Sequence, residues 1–164
     1  MNKQVWIEKA LGLGIQEFEI YQSTTVEKEM TWFQGQMDTL VSSKVTGTSI
    51  RGIVDGKMAN MALEEIDDSM CETVLKSLIE QAHIISNEET DSLRKPEPIE
   101  YVKKDVTWNM ASTEYVKDIL QSLEAKILAY DPRVIQVGYL GYCQGSGNRS
   151  IVNSLGMDVQ DADA

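Results

Sequence analysis

The chain has 164 residues, and 15 lysines and arginines against 26 aspartates and glutamates leave a net charge of −11. That balance excludes a protein that holds nucleic acid through its phosphates, because such binders need a basic surface. No stretch approaches the ~20 apolar residues of a membrane span, and the polar N-terminus is no signal peptide, so a single cytoplasmic domain over 1–164, with a protein or peptide partner, is expected.

Helical spacing of Val5, Trp6, Ile7, Ala10 and Leu11 predicts a short helix over Lys3 to Leu13, closed by Gly12 and Gly14. From Glu17 the period changes to two. Phe18, Ile20, Val26, Met30 and Trp32 share one parity, while Glu17, Glu19, Ser23, Glu27 and Glu29 share the other, which predicts one long half-buried strand. Gln22 and Lys28 fall on the apolar parity and mark places for a bulge. Gln34-Gly35 makes a turn into a second strand through Met37, Thr39, Val41 and Val45. Ile50 to Val54, Asp55-Gly56 and Lys57 to Leu63 then read as two strands joined by a type I′ turn. These segments make a four-stranded antiparallel meander.

Ser69-Met70-Cys71-Glu72 has the spacing of a capping box and opens a long helix to about Ser86, with Met70, Val74, Leu75, Leu78, Ile79, Ala82 and Ile85 on its packing face. Residues 87–104, with Pro96 and Pro98, form a surface loop whose end is pinned by Trp108 and Met110. Another long helix starts near Ser112 or Thr113 and stops at Asp131-Pro132, carrying Val116, Ile119, Leu120, Leu123, Ile127 and Tyr130 on one stripe. Val134 to Cys143 and Arg149 to Ser154, joined through Gly145-Ser146-Gly147-Asn148, read as a C-terminal hairpin, and residues 157–164 as a disordered acidic tail. The fold class is α+β: an antiparallel sheet packed with two long helices and a short N-terminal one.

Chemistry is sparse. With His83 as its one histidine, the chain has no multi-histidine metal site and no serine triad. His83 reads as a surface side chain beside Lys76 and Glu80. Cys71 and Cys143 lack C-x-x-C spacing and read as free thiols, Cys71 inert among apolar and acidic neighbours. The carboxylate pairs Glu64-Glu65, Asp67-Asp68 and Glu88-Glu89 fit a helix start or a solvated loop. Gly145-Ser146-Gly147-Asn148 lacks the lysine and helix of a phosphate loop. Arg51, a cation inside an apolar strand, pairs with a carboxylate either at a boundary or on the surface. No catalytic, cofactor-binding or metal residue is assigned.

The order of these segments is similar to the N-terminal domain of the TldD/PmbA family, the modulators of DNA gyrase. Gly47-Thr48-Ser49-Ile50-Arg51-Gly52-Ile53-Val54-Asp55-Gly56-Lys57 resembles its G-x-G-V-R-V-x-x-D-G-K/R segment, and Phe18-Glu19-Ile20-Tyr21 its opening strand. Asp131-Pro132-Arg133-Val134 and Asn153-Ser154-Leu155-Gly156 look like its D-P-R-[IV] and N-S-x-G signatures. Ser49 and Ala59 stand where glycine is usual and Gly52 where a branched residue is common, which sets the chain nearer PmbA than TldD. Relatives run to roughly 440 to 480 residues against the one domain expected here, so the resemblance implies an N-terminal fragment.

It further implies a non-catalytic domain of a metalloprotease subunit that pairs with a TldD-type subunit and helps enclose an unfolded peptide. Zinc belongs to that TldD-type subunit, through an H-E-x-x-x-H motif beyond the first domain, and no cofactor to this chain. A homodimer of the fragment through uncovered apolar area is also expected, with no direct contact to nucleic acid or membrane. The competing class is a stand-alone acidic interaction module acting on a DNA-associated partner without catalysis.

Overall fold

The computed structural model describes residues 1–64, 66–86, 89–98 and 109–163. Among these residues three α-helices, α1 (Lys3–Gly12), α2 (Cys71–Ile84) and α3 (Thr113–Tyr130), accompany five strands, β1 (Glu17–Phe33), β2 (Gln36–Val54), β3 (Lys57–Leu63), β4 (Leu140–Asn153) and β5 (Asp158–Asp163). The strands form one open antiparallel α+β sheet in the order β3-β2-β1-β4-β5. Among the described residues no helix is long and apolar enough to cross a membrane.

The meander has three strands where the hydropathy pattern predicts four, because residues 36–54 form a single strand through Gly47. Polar rungs carry the pairing where apolar alternation lapses: Thr24 and Thr46 hydroxyls lie 3.0 Å apart, and Gln22 Nε2 donates to Thr48 Oγ1 at 3.2 Å. β1 is continuous as expected. Lys28 sits on its apolar parity without a break, because its ammonium donates to the Ala111 carbonyl at 3.1 Å and to Thr113 Oγ1 at 3.0 Å.

Both turns of the meander carry positive φ at both central residues, Gln34 +48° and Gly35 +78°, then Asp55 +49° and Gly56 +75°, as a type I′ turn demands. A Cβ at Gly56 would also meet Thr90 Cγ2 at 3.0 Å. Gly56→Val is therefore expected to destabilise the fold by ~1 to 3 kcal/mol, read as a lowered urea midpoint at unchanged slope.

The C-terminal segments depart from expectation. Gly145 and Gly147 lie inside β4 instead of at a hairpin tip, and the acidic stretch expected to trail off supplies β5, the outermost strand. The hairpin falls instead at residues 154–157. The Asn153 N–H donates to the Met157 carbonyl at 3.0 Å, and Gly156 takes φ +94°.

The start of α2 also differs from the capping box. Asp67 Oδ1 accepts from the Ser69 N–H at 2.7 Å and closes a 3₁₀ turn over Asp68–Met70, so α2 begins at Cys71. Glu72 instead accepts from Lys76 Nζ at 2.6 Å, one turn along. A nearer carboxylate has taken the role expected of Glu72, since Asp67, two residues before Ser69, reaches the same Ser69 N–H.

The chain divides into two compact units. The first comprises described residues within Met1–Thr24, Thr46–Lys104 and Asn148–Ala162. Here Trp6, Ile7 and Ala10 of α1 and Val74, Leu75, Leu78 and Ala82 of α2 share a core with Phe18, Ile20, Ile50, Val54 and Ala59 of the strands. Trp6 satisfies its indole N–H on Asp68 Oδ1 at 2.9 Å, and Leu78 packs so closely over Gly52 that a Cβ there would meet it at 2.8 Å. That contact explains why glycine stands at this position.

The second unit comprises described residues within Thr25–Val45, Asp105–Gly147 and Asp163–Ala164. Among the described residues its core joins Met30 and Trp32 of β1 to Val116 and Leu120 of α3. The stripe expected on α3 is only partly buried. Val116, Leu120 and Glu124 face inward, while Ile119, Leu123 and Tyr130 are exposed.

Candidate functional site

Arg51 lies across from Glu19, and both belong to the first unit. Its Nε donates to Glu19 Oε1 at 2.9 Å and its Nη2 to the same oxygen. Glu19 is 1% exposed, although strand alternation places it on the polar parity, whereas the Arg51 side chain is 42% exposed. The pair is thus a buried carboxylate under a half-open guanidinium.

Asn153, also buried, completes the cluster. Its Nδ2 donates to the Arg94 carbonyl at 2.9 Å and to Glu19 Oε2 at 3.4 Å, while its Oδ1 accepts from the Leu155 and Met157 N–H groups, each at 3.0 Å. Ser154 then clasps β1, its Oγ accepting from the Phe18 N–H at 2.9 Å and its own N–H donating to the Phe18 carbonyl at 2.8 Å. Asn-Ser-Leu-Gly is thereby a fastening in which every polar residue has a stated partner. Residues 89–98 are tied in similarly, with the Leu93 N–H on Glu17 Oε2 at 2.6 Å and the Met58 N–H on Asp91 Oδ2 at 3.0 Å.

The remaining candidates lie apart from this cluster. His83 is exposed, with Nε2 3.7 Å from Asp55 Oδ2. Cys71 is buried and Cys143 exposed, both free, and burial pushes the Cys71 thiol up from its ordinary value, which suits an inert side chain. Asp131 accepts from Arg133 Nε at 2.9 Å and Nη2 at 2.8 Å; these bonds hold its carboxyl below the usual carboxylate range. Glu65, Glu88 and Trp108 lie outside the described residues. A concavity of about 330 Å³ over the first unit is lined by Tyr21, Ser23, Ser49, Ala62 and Leu63.

A catalytic zinc needs three convergent imidazole, thiolate or carboxylate ligands. Among the described residues no three such groups gather, and His83, exposed with Asp55 as its neighbour, does not fit one. The Arg51 cluster offers a fixed guanidinium and no nucleophile or base free to react, so its chemistry is that of a brace. Sequence reasoning isolated Arg51 and missed both its partner Glu19 and Asn153, which bonds Glu19 in turn. The signal for Asn153 lay in the N-S-x-G segment; for Glu19, alternation pointed the wrong way.

The family model described as PmbA/TldA metallopeptidase domain 1 matches residues 18–86. No curated protein matches the chain. Among solved structures, TldE from Thermococcus kodakarensis superposes with a TM-score of 0.82 at 18% identity, over 98% of this chain and 36% of that one. A protein from Thermotoga maritima described as a candidate modulator of a DNA gyrase gives 0.76 at 19% identity, over 98% of this chain and 36% of that one. A counterpart from Bacteroides thetaiotaomicron gives 0.76 at 18% identity, over 97% and 37%. The chain therefore spans little more than a third of the length of these neighbours. The sequence thus matches this family model over residues 18–86, and nearly all of the chain shares the fold of these neighbours.

Proposed function

We propose that the chain acts as the non-catalytic N-terminal domain of a TldD/PmbA-type metalloprotease subunit, nearer PmbA in type, that pairs with a TldD-type subunit and helps enclose an unfolded peptide. The observation that carries the reading is the likeness to TldE over 98% of this chain and only 36% of that protein, which supports taking these residues as one portion of a larger working unit. The description of the matching family model as a metallopeptidase domain supports the reaction class. Zinc and the water it activates belong to the TldD-type subunit, and the braced sheet supplies a fixed wall.

The chain, dialysed and analysed for metal, is expected to hold no stoichiometric zinc and to cleave no unfolded peptide. Mixed with a TldD-type subunit, it is expected to co-elute with it in gel filtration. One tightly held zinc per chain would overturn the non-catalytic role. Binding to gyrase without any affinity for the TldD-type subunit would favour an acidic interaction module instead.

A further inference from the structure

β3 pairs with β2 only over Thr48–Val54. The earlier part of β2, Met37–Val45 in the second unit, has β1 on one side, where Thr31 and Thr39 hydroxyls meet at 2.6 Å. Among the described residues no strand lies on its other side. Met37, Leu40, Val41 and Val45 are all exposed along it. A strand edge with unpaired backbone donors and acceptors is a template for another strand, and native edges normally carry charges that repel one.

This edge carries two charges, Asp38 and Lys44, of opposite sign and three residues to either side of Val41. An antiparallel pairing of two copies about a two-fold axis through Val41 sets Asp38 opposite Lys44 of the second copy, twice by symmetry. The same register sets Met37 opposite Val45, again twice, and Val41 opposite itself. Because side chains alternate along a strand, Met37, Val41 and Val45 of both copies share one face and the two ion pairs the other. Sliding either strand by two residues leaves both charges without opposite-sign partners, so the sequence selects one register.

We infer that the Met37–Val45 edge of β2 is a self-complementary docking site for a second copy of this chain, joined by antiparallel β-pairing in the Val41-centred register. The interface is isologous. It goes beyond pairing with a TldD-type subunit and does not depend on it. A nine-residue edge is smaller than a standard interface of about 1,600 Å² in total, so the dimer is weak and concentration-dependent.

The test is sedimentation equilibrium of the chain at rising concentration, alongside the single charge reversals D38K and K44E, with circular dichroism to verify folding. The unaltered chain is expected to dimerise, and each single variant to self-associate about tenfold or more weakly, since each sets two like charges opposite each other. An equimolar mixture of the two variants is expected to recover a heterodimer, because every cross-strand pair is then again of opposite sign. The double variant D38K/K44D should recover the homodimer, with slowed amide exchange confined to residues 37–45. A monomer at every concentration, as when some other segment of a longer chain covers the edge, would overturn the proposal. So would a dimer indifferent to the reversals, which would place the contact elsewhere, such as the exposed stripe of α3. Neither failure bears on affinity for a TldD-type subunit, which is measured separately.

Discussion

Arg51→Met is expected to destabilise the first unit by ~3 to 5 kcal/mol, because it leaves a buried carboxylate without its counter-charge. Glu19 is 1% exposed, and among the described residues the side-chain donor left to it would be Asn153 Nδ2 at 3.4 Å, a long contact already divided with the Arg94 carbonyl. Removing the other partner should cost less. With Glu19→Ala the guanidinium, whose side chain is 42% exposed, turns to water, and the loss should be ~1 to 2 kcal/mol, mostly from lost packing and the hydrogen bonds. The double variant Arg51→Met/Glu19→Leu should recover most of the stability lost in Arg51→Met, since an apolar pair needs no solvation. Urea midpoints of the three variants check the order. Equal losses from both single substitutions would mean that Glu19 reaches solvent and that the cluster is an ordinary surface ion pair.

The brace also shows which parts of the fold were legible in the residues. Turns were legible where backbone sterics leave few choices: Asp55-Gly56 between apolar runs has one economical conformation, and it is found. The long period-two pattern of β1 was equally plain, since seventeen residues of alternation outweigh two polar intrusions. β2 was misdivided because Thr46, Gly47 and Thr48 interrupt the apolar pattern, while the strand there is held by hydroxyl and amide rungs that hydropathy does not register. β5 was missed for the same reason. Its acidic residues promise no burial, and its place in the sheet comes from backbone pairing after a turn organised by the Asn153 side chain. Glu19 was misplaced because alternation assigns a face and not a cover; the face opposite the first core is itself roofed by Asn153 and the Arg94 carbonyl. The family resemblance pointed to Asn153-Ser154-Leu155-Gly156 as a unit, and the geometry supplies the reason that segment works as one.

A second buried carboxylate sets the stability of the other unit. Glu124 lies one helical turn beyond Leu120 and two beyond Val116 on the buried stripe of α3, a spacing that marks it as inward-facing despite its charge. Its Oε2 accepts the Trp32 indole N–H at 2.7 Å and its Oε1 the Gly35 N–H at 3.2 Å, so one side chain joins the helix to the buried indole and to the β1–β2 turn. Glu124→Leu keeps roughly the same bulk and removes both acceptors. The indole N–H, buried with 1% of Trp32 exposed, then has no partner, and a loss of ~2 to 4 kcal/mol is expected from two unmade bonds to a charged acceptor. Glu124→Gln, which keeps a carbonyl oxygen for the indole, should lose less than half of that. Among the described residues, Met30, Val116 and Leu120 are the other buried members of the core around Trp32. Local opening of this unit should therefore appear in Glu124→Leu as faster amide exchange along α3, while the exchange of α2 in the first unit stays as it was. Unchanged exchange along α3 would mean that the Trp32–Glu124 bond fixes orientation without holding the helix down.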